Sequence, residues 1–569
     1  RDRFNATEGV SDADPTTATS YANPDYGADP NVSRFSFTVA TPTGLLVGEE
    51  ISATGSDGSN TSEFGPSFVV TAPAVSITGK VFEDIIGDAL NDGVINDGSN
   101  PGAGNVTVRR YQDGGDGVPD GVDDGVPIAT TTTAATPGAT LGDYSFTGLA
   151  GGLTYWVAVD SKTVFPGAGV NSSPADDDDV WAEQTYGPAG AYTGTGYLGS
   201  AGSLYGGAGG AVADDASGLA TSEHVARITT SSSGVDFGFS FNAVTNLEAG
   251  DGTDADLAAD RVFQGSVRQF ILNANALVGA NAMYFVPSVP TNATDGGGND
   301  WWSIPITVTL PAIGDAFTTV DGTAYDEADG STIRETNDQT LGYVGPVGTG
   351  ADGVVGTLDE PTLAGVEAPE LELVGTTANR WGFKFTASDG AVRRIAAYGF
   401  GPNPNVPDAG VILVQGADRT LIEQNVVGSG AGAFADPGAG ARTVTENIRV
   451  DSGNDGIVRN NLSGFAVGTG ILINSGTGWL IENNETRHNA IGESILDNIG
   501  SKGGSTTVLN NLMVDSEGGG FDMWNSPGGL ILRNNTVTGS GVGVVNTFAQ
   551  PDETFGVRLI GTNNTAEFN

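Results

Sequence analysis

Two stretches concentrate the side chains best suited to holding a cation. The first carries Glu83, Asp84, Asp88, Asp92, Asn96 and Asp97, and the second carries Asp113, Asp116, Asp120, Asp123 and Asp124 within DGGDGVPDGVDDG. Carboxylates this close on a glycine-rich loop repel one another unless a cation sits among them. A hard ion such as Ca2+ takes about six to eight oxygens from a flexible loop. The expectation is Ca2+ bound by Asp84, Asp88 and Asp92 in the first loop and by Asp113, Asp116, Asp120 and Asp124 in the second. The plainer reading is a pair of acidic, solvated loops. The four carboxylates at 176–179 are read that way.

A second kind of chemistry is acid–base work on a sugar polymer. Glu482, Arg487, His488, Asp497, Asp515, Glu517 and Asp522 all fall in the last third of the chain. Hydrolysis needs two carboxylates facing one bond, and elimination needs a base. These seven do not recur at matching offsets, so the expectation is a chain that is not an enzyme and has no catalytic residue. His224 and His488 have no second histidine near them and read as surface residues. Trp524 and one of Trp301 and Trp302 are candidates for stacking on sugar rings, whereas Trp479 reads as interior.

The elements that must position these residues are written as a repeat. TLIEQN, GIVRNN, WLIENN, TTVLNN and LILRNN end on Asn425, Asn461, Asn484, Asn511 and Asn535, at steps of 36, 23, 27 and 24. Self-similarity at this period signals a solenoid. The unit holds short β-prone runs separated by Gly, Ser, Asn and Asp and no helix-length amphipathic run, so each repeat reads as one coil of stacked parallel strands. Ile422, Val458, Ile481, Val508 and Ile531 are expected to form an inward ladder. The repeated Asn is expected at a turn, pairing its amide with the Asn above and below. Two insertions, AGAFADPGAGARTVTEN and NTFAQPDETFG, are expected to loop out of the stack.

This pattern resembles the right-handed parallel β-helix, or pectin-lyase-like, superfamily, and the handedness is implied by that resemblance. Hydrolases of that kind show phrases such as NTD, GHG and RIK, none of which occurs here. Upstream, SITGKVFEDIIGDALNDG, NVTVRRYQDG, DYSFTGLAGGLTYWVAVD and GVDFGFSFN resemble, in that order, the collagen-adhesin B-type repeat, an Ig-like β-sandwich. That resemblance implies calcium at Asp84 and Asp88, although Ile86 stands where the family usually has Asn. DGGDGVPDGVDDG resembles the calcium loops of thrombospondin type 3 repeats. ISATGSDGSNTSEFGPSFVV resembles the strand pair that closes large exported β-helix proteins. GSVRQFILNANALVGANAMYFVP resembles the N-terminal cap of bacterial surface β-helix proteins. Here Ser266 with Gln269 makes a capping box, and Val267, Phe270, Ile271 and Ala274 fall on one helical face.

The expected fold class is all-β. Residues 1–75 form a small antiparallel β-unit, and 76–242 an Ig-like β-sandwich with a Gly-rich insertion at 161–222. Residues 243–290 are a linker with a short capping helix, and 291–569 are the parallel β-helix. In the 569 residues, 23 Lys and Arg stand against 69 Asp and Glu, a net charge of −46, and there is no Cys. Such a surface repels nucleic acid and anionic membranes, and no apolar run spans a bilayer. The leading functional expectation is an extracellular, cell-surface building block of a fibre, sheath or adhesin stalk. Its copies would associate head to tail through residues 1–75 and the open C-terminal coil, with surface glycans as further partners. The alternative is a carbohydrate-active enzyme, a lyase or hydrolase, or a carbohydrate-binding module. A groove of converging acids with aromatics beside it would favour the alternative, and a lining of Ser, Thr, Asn and Gly the stalk.

Overall fold

The computed structural model describes residues 74–85, 101–120, 123–166, 180–209, 218–249, 261–277, 279–404, 406–493, 496–524, 527–541, 556–559 and 562–567, with short pieces of the first 73 residues. The chain divides into two compact units, Arg1–Ala74 and Val75–Asn569. In the first unit, Ser11–Asp12 pairs with Phe35–Ser36, Ala22–Asn23 with Gly27–Ala28, and Glu50–Ile51 with Phe68–Val69, all antiparallel.

The second unit opens with a β-sandwich. One sheet is built on Val75–Glu83, Asp143–Leu149, Phe237–Ser240, Glu183–Gly187 and Gly202–Ser203. The other comprises Thr107–Gln112, Ala129–Thr132, Tyr155–Val159 and Val225–Ile228. Ile77, Val81, Phe146, Val157, Phe237 and Phe239 fill the space between them. Tyr155–Val159 is buried at every position because Tyr111, Trp156 and Leu219 form a second apolar layer behind its sheet. The stretch at 161–222, expected as an insertion, supplies two strands of the first sheet and Leu219 of that layer.

One α-helix, Val267–Ala276, joins the sandwich to the solenoid. The Ser266 hydroxyl accepts from the Gln269 N–H at 3.1 Å, as the capping box requires, while the Gln269 side chain accepts from the N–H of Val262 rather than returning to Ser266. Val267, Phe270, Ile271 and Ala274 face the first coils of the solenoid. On the sandwich side, Asn273 accepts from the Trp181 N–H and donates to the carbonyls of Trp181 and Phe241. The helix therefore covers the open end of the stack and holds the sandwich on top of it, both through buried groups.

From Asp300 onward the described residues form three parallel sheets. A nine-stranded sheet ends at Thr536–Thr538, with one antiparallel edge strand at Ala293–Thr294. An eight-stranded sheet runs from Thr319–Asp321 to Thr565–Glu567, and a seven-stranded sheet from Trp381–Phe385 to Val557–Leu559. Each strand pairs with its counterpart in the next coil, which is the parallel β-helix that the repeat implied. The inward ladder of the eight-stranded sheet is Val320, Val392, Ile422, Val458, Ile481, Val508 and Leu532. Leu532, not Ile531, holds the last of these places. Ile531 pairs with Thr507, points the other way and is 40% exposed, because successive strand residues face opposite sides.

The repeated phrase divides its work between two neighbouring residues. Gln424, Asn460, Asn483, Asn510 and Asn534 take the left-handed conformation, with φ between 52° and 57°. The residue after each is a fully buried Asn, at 425, 461, 484, 511 and 535. In this ladder the Asn461 side-chain oxygen accepts from the N–H and the Nδ2 of Asn425, and the contact repeats down to Asn535. The Nδ2 of Asn461 also donates to the Ile422 carbonyl of the preceding coil, and Asn484, Asn511 and Asn535 do likewise. A buried turn would otherwise leave its polar groups unpaired, at a cost of about 1–3 kcal/mol each.

These contacts set two expectations for equilibrium unfolding. Ile481→Asp should cost about 3 kcal/mol or more by burying a charge without a partner, while Glu482→Ala, one residue along and facing out, should stay within about 0.5 kcal/mol. Asn484→Ala should fall between them, at about 1–3 kcal/mol, since it strands the Asn461 N–H. Equal losses at 481 and 482 would contradict the strand phase.

Candidate functional site

The outward faces of the three sheets differ, and the difference isolates one of them. The nine-stranded sheet is covered by a hairpin, Thr340–Pro346 paired with Thr362–Glu367. Leu341 and Val366 lie on Ala396, Val426 and Leu462, and Val347 and Leu363 on Leu512 and Val514. A side chain at Gly342 would strike Leu462 at 2.5 Å, so the strap needs glycine where it crosses. The insertion expected to loop out at 431–447 instead returns Ala431 and Phe434 to this same apolar layer.

The eight-stranded sheet presents a column of alternating charge: Asp321, Arg393, Glu423, Arg459 and Glu482. Arg393 meets Asp321 at 2.7 Å and Glu423 at 3.8 Å, and Arg459 meets Glu423 at 2.7 Å. Half-exposed pairs of this kind add little individually and satisfy one another.

Among the described residues no hairpin straps the seven-stranded sheet and its charges do not alternate regularly, although Leu413, Arg449, Leu472 and Asp522 on its outward side are buried. Apart from Ser501 its central inward residues are apolar, and its central outward column runs Lys384, Leu413, Arg449, Leu472, Gly500, Asp522 and Arg558. Two residues further along successive strands stand Asp451, Asn474, Lys502 and Trp524, in unbroken contact. Arg449 donates to Asp451 at 2.6 Å, Asn474 to Asp451 at 3.1 Å, and Lys502 to Asn474 at 3.1 Å, and the Lys502 ammonium lies 4.3 Å from the centre of the Trp524 ring. Trp524 is 53% exposed.

The charges on this face are not equivalent. Arg449 is held by Glu446 and Asp451, Lys384 by Asp408, and Arg558 by two contacts to Asp522. Among the described residues no carboxylate lies within ion-pair distance of Lys502. Burial, followed by the positive charge of Arg449, lowers its pKa, against the opposing pull of Glu446, Asp522 and Asp451. Asp497 folds over Gly500, its Oδ2 3.5 Å from where a Cβ would stand, and its Oδ1 is buried without a hydrogen-bond partner. Burial first, and then the Asp522 charge, push the Asp497 carboxyl well above the ordinary carboxylate range.

Of the seven residues singled out for glycan chemistry, the structure brings Asp497 and Asp522 together and scatters the rest. Glu482 stands in the charged column, and Arg487 pairs with Glu485 on the nine-stranded sheet. His488 stacks on Phe465 and faces Asp515 at 3.6 Å, and Glu517 accepts from the Gly492 N–H. His224 is not a surface residue: it is fully buried, with its Nδ1 2.6 Å from Gln184 Oε1 and its ring edge-on to Phe239. Trp301 and Trp302 are both buried, so neither offers a surface for sugars, and Trp479 is interior. Arg449, Asp451, Asn474 and Lys502 escaped the sequence reading, although each of the last three immediately follows an inward-facing strand residue.

The acidic loops divide as well. Asp84 is fully buried, with its N–H on the Phe239 carbonyl. Asp88, Asp92, Asn96 and Asp97 lie outside the described residues, as do the carboxylates at 176–179. In the second loop Asp113 pairs with Arg227 at 3.3 Å and accepts from the N–H groups of Gly115 and Gly117. Asp124 is buried, accepting through Oδ1 from Gly114 N–H and Trp156 Nε1–H, and its Oδ2 has no partner. Asp116, Asp120 and Asp123 remain, with carboxylate oxygens within 4.8 Å of one another. Desolvation, then the charges of Asp116, Asp124 and Asp120, raise the Asp123 pKa.

No protein-family model and no curated protein matches the chain. Among solved structures it is similar to a variant of the periplasmic alginate epimerase AlgG, at 12% identity and a TM-score of 0.23, over 45% of this chain and 52% of that one. It is also similar to the A-modules of two Azotobacter vinelandii mannuronan C-5 epimerases. AlgE4 matches at 12% identity, with a TM-score of 0.19, over 52% of this chain and 96% of that one. AlgE6 matches at 14%, with a TM-score of 0.17, over 52% and 94%. The present chain spans about half the length of the AlgG structure. The β-helix itself is established by the strand pairing. The expectation of a non-enzymatic chain is corrected here, since the solved structures it is similar to are enzymes. No helix among the described residues is long and apolar enough to cross a membrane.

The buried Asp497 carboxyl predicts a pH-dependent stability. Unfolded, the group releases its proton above about pH 4. Folded, it keeps that proton, so stability should fall as pH rises from about 4 toward the raised folded-state value. Asp497→Asn should therefore melt above the wild type at neutral pH, with the gap closing below about pH 4. A gap independent of pH would show that Asp497 is not the titrating group.

Proposed function

We propose that the protein is a carbohydrate-active enzyme that binds a carboxylated polysaccharide across the seven-stranded sheet and cleaves it by elimination. The observation that carries this reading is Lys502: a half-buried cation of lowered pKa, without a carboxylate partner among the described residues, resting on an exposed indole. A lysine that loses its proton readily is suited to act as a base, and an ammonium free of carboxylates attracts an anionic sugar until it does so. In such a step the Lys502 nitrogen takes the proton beside the sugar carboxylate. The freed electron pair forms a carbon–carbon double bond, the glycosidic C–O bond breaks, and the departing oxygen is protonated by solvent. Trp524 offers a flat apolar face for a sugar ring. The fibre or stalk reading fits this face less well, since Arg449, Asp451, Lys502 and Trp524 stand on it beside Asn474 and Gly500.

The test is turnover of a panel of carboxylated and neutral polysaccharides, followed by the ultraviolet absorbance of unsaturated ends. Lys502→Met should lower kcat by about 10²–10⁴-fold, and Trp524→Ala should raise KM by about tenfold with kcat largely kept. No binding or turnover of any carboxylated polymer by the wild type would overturn the reading.

We also propose that Asp116, Asp120 and Asp123 take a divalent cation, Ca2+ being the hard ion that suits carboxylate oxygens. Their closeness and the buried, unpartnered Asp124 Oδ2 support this. A chelator should then lower the melting temperature of the wild type by several degrees and that of Asp120→Asn by much less. Identical melting curves with and without chelator would contradict the site.

A further inference from the structure

The buried acid pair behind Lys502 has no part in the elimination step, and its placement is specific. In the central outward column both neighbours of Gly500 carry a side chain, Leu472 on one side and Asp522 on the other. Gly500 carries none, and the space is taken by Asp497, which bends back over its own strand. A Cβ at 500 would stand 3.3 Å from Leu472 and 3.5 Å from the Asp497 carboxyl, so that carboxyl lies against the bare backbone of Gly500. Asp522, the adjacent acid, is already engaged at both oxygens by Arg558. Asp497 Oδ1 has no donor at all. Lys502 follows two residues after Gly500 on the same outward side.

We propose, resting on the reading of Lys502 as the base, that Asp497 is a positioning residue that sets when Lys502 can give up its proton. While Asp497 is neutral, it adds nothing to the pull of Glu446, Asp522 and Asp451 that opposes loss of the ammonium proton. Once Asp497 ionises, its negative charge holds the lysine as ammonium and ends its use as a base.

Charged and polar groups face this pair from each neighbouring strand. Arg449 and Asp451 come from the strand two coils back and Glu446 from just before it, Asn474 from the coil between, Asp522 from the next coil and Arg558 from the one after. Arg449 is neutralised by Glu446 and Asp451, and Arg558 by Asp522. Asp497 is thus the one carboxyl among them with no cation or full set of donors fixing its charge. The positive charge of Lys502 favours the carboxylate form of Asp497. Interaction between two titrating groups is mutual, so ionised Asp497 favours charged Lys502 to the same extent.

The test needs no substrate, so it stands or falls separately from the proposed reaction. The intact chain is acylated with a small amine-reactive reagent across a pH series, and the four lysines are followed by mass spectrometry. In the wild type, Lys502 should react at lower pH than Lys80, Lys162 and Lys384, with a curve broadened by a second titration. In Asp497→Asn the Lys502 curve should become a single step and shift to lower pH, giving several-fold faster labelling at a fixed pH near its midpoint. Asp515→Asn, on another sheet, should leave it unchanged. A Lys502 curve identical in wild type and Asp497→Asn would overturn the proposal. Should that variant misfold, isotope-edited infrared of the wild type decides the matter. A buried carboxylic-acid band that disappears over the pH range where the Lys502 curve broadens supports the coupling, and no such band at neutral pH overturns it.

Discussion

The buried asparagine ladder is the contact on which the rest of the solenoid depends. At each turn of the eight-stranded sheet a chain direction must change inside the protein, where backbone groups cannot reach water. Asn425, Asn461, Asn484, Asn511 and Asn535 resolve this by bonding both to each other and to backbone groups one coil away. Because each amide reads the coil above it, the ladder sets register as well as stability. A slip by one residue would turn every outward side chain inward. The alignment of Asp451, Asn474, Lys502 and Trp524 in one line is therefore a consequence of contacts on a different face of the molecule.

A second constraint is what each outward face does with its exposure. A three-sided solenoid presents three surfaces, and this chain treats them differently. One is made apolar and roofed by the strap at 340–367, another is made a charge ladder whose members neutralise one another, and the third keeps unpaired chemistry. The helix Val267–Ala276 and the sandwich above it close the top of the stack through Asn273, so the functional face is carried on a body braced at that end. On the proposed reading, function is confined to the seven-stranded sheet, since the other two are covered or have their charges paired.

Much of the fold was legible because periodicity reports strand phase directly. The five repeated phrases located the coils, the interior place of Trp479 and the outward place of Glu482, and Ser266 with Val267, Phe270 and Ile271 located the helix. The ladder assignment of Ile531 failed by one position, since LIL offers three aliphatics in a row and only pairing to Val508 selects Leu532. The site was far less legible. Asp497 and Asp522 lie 25 residues apart in a chain rich in Asp, and nothing local marks them as neighbours. They meet because consecutive coils place Gly500 against Asp522. His224 misled for the opposite reason: isolation from other histidines says nothing about burial, and its partners Gln184 and Gln264 come from distant segments. Aligning the outward residues coil by coil, rather than searching for clustered acids, would have shown Asp451, Asn474, Lys502 and Trp524 as one column.

The central claim is that the seven-stranded sheet alone is the working face. Hydroxyl-radical footprinting of the intact chain, with and without a carboxylated oligosaccharide at saturating concentration, tests it most directly. The account predicts protection concentrated at Trp524 and its neighbours on that sheet. Oxidation of Tyr343 and Leu358 on the strap and of Ile531 on the eight-stranded sheet should remain unchanged. Protection of the strap or of Ile531, with Trp524 as reactive as before, would contradict it.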